Sequence, residues 1–116
     1  LLLTHEKLLR ILCHVWSEKS STKYSPENPA RGQCGVTALV VNDLFGGEIL
    51  KTPLPEGWHF YNRIHGQVYD FTASQFKEEI KYEDILSSRD EAFADTNEQQ
   101  YHYLKHSIIS RVRDSD

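Results

Sequence analysis

Cys34 stands where a polar, proline- and glycine-containing stretch gives way to an apolar one, in Arg31-Gly32-Gln33-Cys34-Gly35-Val36-Thr37-Ala38-Leu39-Val40-Val41. Cysteine chemistry runs on the thiolate, and the positive end of a helix dipole lowers a thiol pKa. A cysteine that opens a helix is therefore expected to be partly ionised. The glycines on either side leave the backbone open to a substrate. Nucleophilic acyl transfer needs two more groups, an imidazole to take and return the proton and a carboxylate to hold that imidazole. His59 and Asp70 follow Cys34 in that order. With six His and seventeen acidic residues in the chain, such an order arises easily by chance. The elements that carry the three residues must supply the specificity.

The aromatic, alternating run Trp58-His59-Phe60-Tyr61-Asn62-Arg63-Ile64 predicts a strand. His65-Gly66 is a turn signal, and Gln67 to Thr72 predicts the returning strand. A two-residue turn pairs Ile64 with Gln67, Tyr61 with Asp70 and His59 with Thr72. Side chains alternate along each strand, so His59, Tyr61, Val68, Asp70 and Thr72 share one face. His59 and Asp70 are then diagonal neighbours, ~7 Å apart at Cβ. A three-residue loop would send Asp70 to the other face.

The rest of the chain supplies the frame. Residues 4–18 predict a helix capped by Thr4, with Leu8, Leu9, Ile11, Leu12, Val15 and Trp16 as a wide apolar stripe and Cys13 as a small packed residue at its border. Residues 19–33 predict a loop long enough to suggest function, although a surface excursion fits its length equally. Residues 34–45 predict a helix apolar nearly all round, hence buried on several sides, and ended by Gly46-Gly47. Glu48 to Leu54 predicts a strand interrupted by Pro53 and Pro55. Ser74 to Ile80 predicts a helix, Tyr82 to Ser88 a less regular stretch, and Asp90 to Asn97 a loop. Asn97-Glu98-Gln99-Gln100 resembles a capping box ahead of Tyr101, Leu104, Ile108 and Val112 at helical spacing, with a tail at 113–116 that frays.

The chain of 116 residues, 39% hydrophobic and 26% charged, suits a single α+β domain over 1–116. Its net charge of −4 argues against broad nucleic-acid binding. No apolar run approaches the ~20 residues needed to cross a bilayer, and Leu1-Leu2-Leu3 is too short for a signal segment. Two cysteines, Cys13 and Cys34, suit free thiols in a reducing cytoplasm better than a disulfide framework. No CxxC pair supports a structural metal site, and no cofactor motif is present.

The blocks Asn28-Pro29, Gly32-Gln33-Cys34, Val36-Thr37-Ala38-Leu39-Val40-Val41, Phe45-Gly46-Gly47-Glu48-Ile49-Leu50, His59, Tyr61-Asn62-Arg63, Asp70-Phe71-Thr72 and Gln75-Phe76 together resemble the bacterial YunG-like family of uncharacterised proteins. The resemblance runs from about Trp16 to the last helix. That family is similar in turn, by the order of Cys, His and Asp, to the transglutaminase-like branch of papain-fold cysteine enzymes. The resemblance implies a papain-like (transglutaminase-like) core, with a Cys-bearing helix packed on a small antiparallel sheet between N- and C-terminal helices. It implies a cysteine peptidase, amidase or acyltransferase acting on a peptide or amide-bearing substrate. Cys34 would be the nucleophile, His59 the base and Asp70 the orienting acid. Gln33, Tyr61 and Asn62 are the candidates for oxyanion or substrate binding. Papain-like enzymes place their oxyanion glutamine several residues before the cysteine, whereas Gln33 adjoins it. The Cys34 backbone N–H is the better-placed donor.

Plainer readings stand beside these. Cys34 can be a small core residue, and His59 a packed strand histidine bonded to Asp70 for structure alone. Tyr61, Asn62 and Arg63 suit a sheet-packing strand, Trp16 and Trp58 suit core aromatics, and His65 a turn. A non-catalytic module that holds a peptide or partner is the alternative function. Zinc held by Cys34, His59 and Asp70 is a weaker third possibility.

Overall fold

A computed structural model describes residues 3–114. The helix that Cys34 opens, α2 (Cys34–Phe45), is the centre of the core, and each residue from Cys34 to Val41 is buried. Its composition requires this. An apolar surface on every side must be covered on every side. One side packs on the sheet, and others meet α3 (Arg89–Ala94) and α4 (Glu98–Asp114). Helix α1 (His5–Val15) lies along α4 and buries Leu8, Ile11, Leu12 and Val15.

Thr4 caps α1 by accepting the Lys7 N–H at 3.0 Å. The helix stops at Val15, short of the expected residue 18. Trp16 leaves it to bury its indole, whose Nε1–H donates to Thr37 Oγ1 of α2 at 3.0 Å. Ser17 and Ser20 then close a turn on each other's polar groups. Cys13, expected to pack, is instead an exposed free thiol on the outer side of α1.

The sheet has the order β3-β2-β1-β4 and its pairs are antiparallel. Strands β1 (Glu48–Leu54) and β2 (Gly57–Ile64) pair from Glu48↔Arg63 to Leu54↔Gly57. Pro53 does not interrupt β1. The outer neighbour β4 (Ile85–Leu86) pairs only with Leu50 and Lys51, so no ladder on that side needs the missing N–H. The β2–β3 turn is the two-residue turn at His65-Gly66, both at positive φ, and Ile64 pairs with Gln67 as expected.

Strand β3 (Gln67–Tyr69) ends early. Pairing stops at Asn62↔Tyr69, so the expected partners Tyr61–Asp70 and His59–Thr72 do not form. The cause is local. Asp70 Oδ1 accepts both the backbone N–H and the hydroxyl of Thr72, at 3.2 Å each, and this turn pulls the chain off the sheet.

Beyond it the expected helix at Ser74 to Ile80 reduces to a single 3-10 turn at Ala73–Gln75. Phe76 and Ile80 alone cannot make a buried stripe among charged neighbours. The two-residue strand β4 and the helix α3 replace the irregular stretch and the loop expected there. Helix α3 does carry a signal, since Ser88 Oγ caps it by accepting the Glu91 N–H at 3.2 Å. Helix α4 buries Tyr101, Leu104, Ile108 and Val112 as the spacing requires, and Asn97 caps its first turn through the Gln100 N–H. Arg113 and Asp114 continue that helix; the rest of the expected frayed tail, like Leu1 and Leu2, lies outside the described residues.

The 19–33 loop is tied down. Asn28 Nδ2–H donates to the Gln75 carbonyl at 3.1 Å, and the Gly32 N–H reaches Gln75 Oε1 at 3.4 Å. No helix among the described residues is long and apolar enough to cross a membrane.

Candidate active site

Asn62 defines which way the sheet faces. Its side-chain N–H donates to the Ala38 carbonyl of α2 at 3.0 Å. Phe60, Asn62 and Ile64 therefore look toward α2, and alternation turns His59 and Tyr61 to the opposite face. That face is covered by the irregular segment after β3. Phe76 meets the His59 ring edge-on at 4.9 Å, and Tyr82 meets Tyr61 at the same separation.

His59 is 2% exposed and its Nε2 lies 2.6 Å from Asp70 Oδ2. The early end of β3 does not cost this contact, because the turn that ends the strand leaves Oδ2 free to meet the ring. Asp70 Oδ2 also accepts the Tyr82 hydroxyl at 2.7 Å. The carboxylate is thus met by the Thr72 backbone, the Thr72 and Tyr82 hydroxyls and the His59 ring. An Nε2–H donated to Asp70 leaves Nδ1 as the basic nitrogen of His59. Burial and the Asp70 charge hold the Tyr82 hydroxyl well above its ordinary pKa.

Cys34 lies at the N-terminus of α2, where Gln33 supplies no side-chain cap. The cap comes from far along the chain. Asp95, at the C-terminal end of α3, accepts the Gly35 N–H at 3.2 Å, and its Oδ2 lies 3.5 Å from Cys34 Sγ. Gly35 is what lets the two helices close. A Cβ there would stand 2.6 Å from Asp95 Oδ2 and 2.9 Å from the Ala92 carbonyl. Burial first, and then the Asp95 charge, push the Cys34 thiol up to about 12, against the pull of the Phe60 N–H. This corrects the expectation of a partly ionised resting thiol, since the helix dipole is outweighed. The Asp95 carboxyl is itself raised above its ordinary value. Partial loss of solvent outweighs its hydrogen bonds from Cys34 and Gly35 and the attraction of Lys23 and His59.

Cys34, His59 and Asp95 line one cleft of about 500 Å³, with Lys23, Trp58 and Phe76 among its walls. The sulfur's side-chain hydrogen bond goes to Asp95, not to the His59 ring. Among the described residues no acceptor takes the Cys34 backbone N–H. Trp58, expected in the core, is instead 48% exposed at the cleft mouth, with Lys51 Nζ 4.2 Å from its ring centroid. Trp16 is buried as expected.

The other candidate residues sit in protein contacts. Gln33 is fully buried, and its Nε2 faces the Ser17 carbonyl at 3.5 Å. Tyr61 donates its hydroxyl to Asp84 Oδ1 at 2.7 Å and accepts the Asp84 N–H at 2.8 Å. Asn62 serves the strand–helix bond described above, and Arg63 pairs with Glu48 at 2.8 Å. Among the described residues no three His, Cys, Asp or Glu side chains converge to hold a metal ion, which weighs against zinc on Cys34, His59 and Asp70.

Sequence reasoning missed Asp95, Tyr82 and Gln75. Asp95 and Tyr82 lie in stretches read as irregular, and nothing in their local pattern announces a long-range partner. Gln75 fell within a matching block, and its side-chain oxygen turns out to hold the loop before Cys34.

No solved structure matches the chain. The curated protein described as "Uncharacterized protein YunG", from Bacillus subtilis (strain 168), is 56% identical over 103 residues, covering 89% of this chain and 90% of that protein. The family described as YunG protein matches residues 4–113. An α+β chain with Cys34, His59 and Asp70 set around a four-stranded antiparallel sheet, matched along almost its whole length, belongs to the YunG family.

Proposed function

We propose that this protein is a cysteine hydrolase or acyltransferase of the peptidase, amidase or transglutaminase-like kind, on a papain-like arrangement of helix and sheet. One observation carries the reading. His59, held by the buried Asp70 at 2.6 Å, lines the same cleft as a cysteine at a helix N-terminus. In the reaction Sγ bonds to the acyl carbon of an amide or thioester and gives its proton to His59 Nδ1. Asp70 steadies the imidazolium. The Cys34 N–H stabilises the oxyanion, and the leaving amine or thiol takes the proton back from His59. Water or an amine then releases the acyl group. The free Cys13 and Cys34 suit a reducing cytoplasm.

The test is acylation by p-nitrophenyl acetate followed by intact and peptide mass. The acetyl adduct is expected on Cys34, absent in Cys34→Ser, and formed about 100-fold more slowly in His59→Ala. Adducts on Cys13 alone, or an unchanged rate in His59→Ala, would sink the reading.

One observation favours the second reading, a peptide- or partner-binding module. The sulfur is bonded to Asp95 rather than to the base. On that reading Cys34→Ser leaves partner binding intact and there is no turnover to lose.

A further inference from the structure

The immediate partner of the sulfur is a group outside the Cys-His-Asp order. Asp95 Oδ2 takes a thiol S–H and a helix-terminal N–H together, at 3.5 Å and 3.2 Å. Asp95 is delivered by α3, whose end is fixed by its own N–H to the Ala92 and Phe93 carbonyls. Sγ can donate to this oxygen only while protonated. A thiolate in the same place would face a carboxylate at contact distance, and like charges that close disfavour ionisation.

We propose that Asp95 is a positioning residue of the site, which holds the resting Cys34 thiol protonated and fixed at the α2 N-terminus, so that attack requires Asp95 to be neutralised or drawn aside. The proposal rests on the reading of Cys34 as the reacting group. The other charged groups around the pair divide in sign. Lys23 and Arg31 from the 19–33 loop and His59 from β2 are the cationic or basic groups, and Glu56 of the β1–β2 turn adds negative charge to the cleft. The Asp70 charge also acts on Sγ. Asp95 is the one of these in contact with the sulfur.

Alkylation by iodoacetamide from pH 6 to 10, read separately at Cys34 and Cys13, decides the matter. Asp95→Asn keeps an oxygen for the Gly35 N–H and removes the charge. In the unsubstituted protein Cys34 is expected to react at least tenfold more slowly than Cys13 at pH 7. In Asp95→Asn its rate should rise about tenfold for each unit by which its pKa falls, with Cys13 unchanged. A Cys34 pH profile that stays where it was overturns the proposal. Should Asp95→Asn fail to fold, the thiolate absorbance of the unsubstituted protein against Cys34→Ser answers instead. Cys34 must ionise above Cys13, and ionisation at or below it overturns the proposal. The two readings fail separately. A shifted profile without acylation of Cys34 removes acyl transfer and keeps Asp95 in its role, and acylation with an unshifted profile does the reverse.

Discussion

Asp70 divides its two oxygens, one ending β3 through Thr72 and the other holding His59 and Tyr82. This explains why the His59–Asp70 contact could be read from sequence although the strand pairing behind it was drawn three residues too long. The two-residue turn at His65-Gly66 fixes which face each residue takes, and the contact needs only the face. Cys34 was legible as a helix-start cysteine, but its ionisation was not, because that depends on how deeply the thiol is buried and then on Asp95. The same residue makes a stability prediction. The folded state holds the thiol proton up to about 12, against an ordinary value of 9.0. Above that ordinary value the unfolded chain releases a proton that the folded chain keeps, so stability falls as pH rises between the two. Urea unfolding of the protein and of Cys34→Ala should show the difference moving against the unsubstituted protein by roughly 1 kcal/mol between pH 8 and pH 10. A difference independent of pH would mean that Cys34 ionises normally when folded.

Elements with their own strong pattern were the legible ones. The apolar run of α2, the stripe of α1 and the spacing in α4 each commit a segment before any partner is known. Helix α3 and β4 have six and two residues and few buried side chains, so their place is decided by what they dock against. The link from α2 to β1 offers a test at this scale. Gly46 and Gly47 both have positive φ, at 76° and 79°. A Cβ on Gly46 meets nothing within 4 Å, whereas one on Gly47 would lie 2.2 Å from the Arg63 carbonyl of β2. Gly46→Ala should cost only backbone strain, about 1–3 kcal/mol, because its φ of 76° and ψ of −151° lie where few residues but glycine go. Gly47→Ala should cost several kcal/mol more, because the β1–β2 ladder itself must move. Equal losses in chemical denaturation would place the strain in the link rather than in the contact with the sheet.

Across the whole molecule the sheet separates two apolar layers of unequal size. The larger lies between sheet and helices, and α4 closes it with Leu104 and Ile108, both fully buried. The smaller, around Leu50, Tyr61, Phe76 and Tyr82, covers His59 on the other face. Sequence patterning announces the first because it is made by long periodic elements. It is silent on the second, where the covering segment has almost no regular structure. Leu104→Ala should cost roughly 2–5 kcal/mol and lower the melting temperature by on the order of 10 °C or more. A loss under about 1 kcal/mol would mean that α4 is peripheral to the core. The closeness of α2 and α3 has a consequence for the natural variation of these chains. Gly35 has no room for a side chain because Asp95 and the Ala92 carbonyl fill the space. The two positions are therefore one unit of covariation. Among aligned relatives, any residue larger than glycine at position 35 should be accompanied by one shorter than aspartate at position 95 and by an α3 set further from α2, since the Ala92 carbonyl must also give way. Lineages that made that exchange would have lost the carboxylate beside the sulfur.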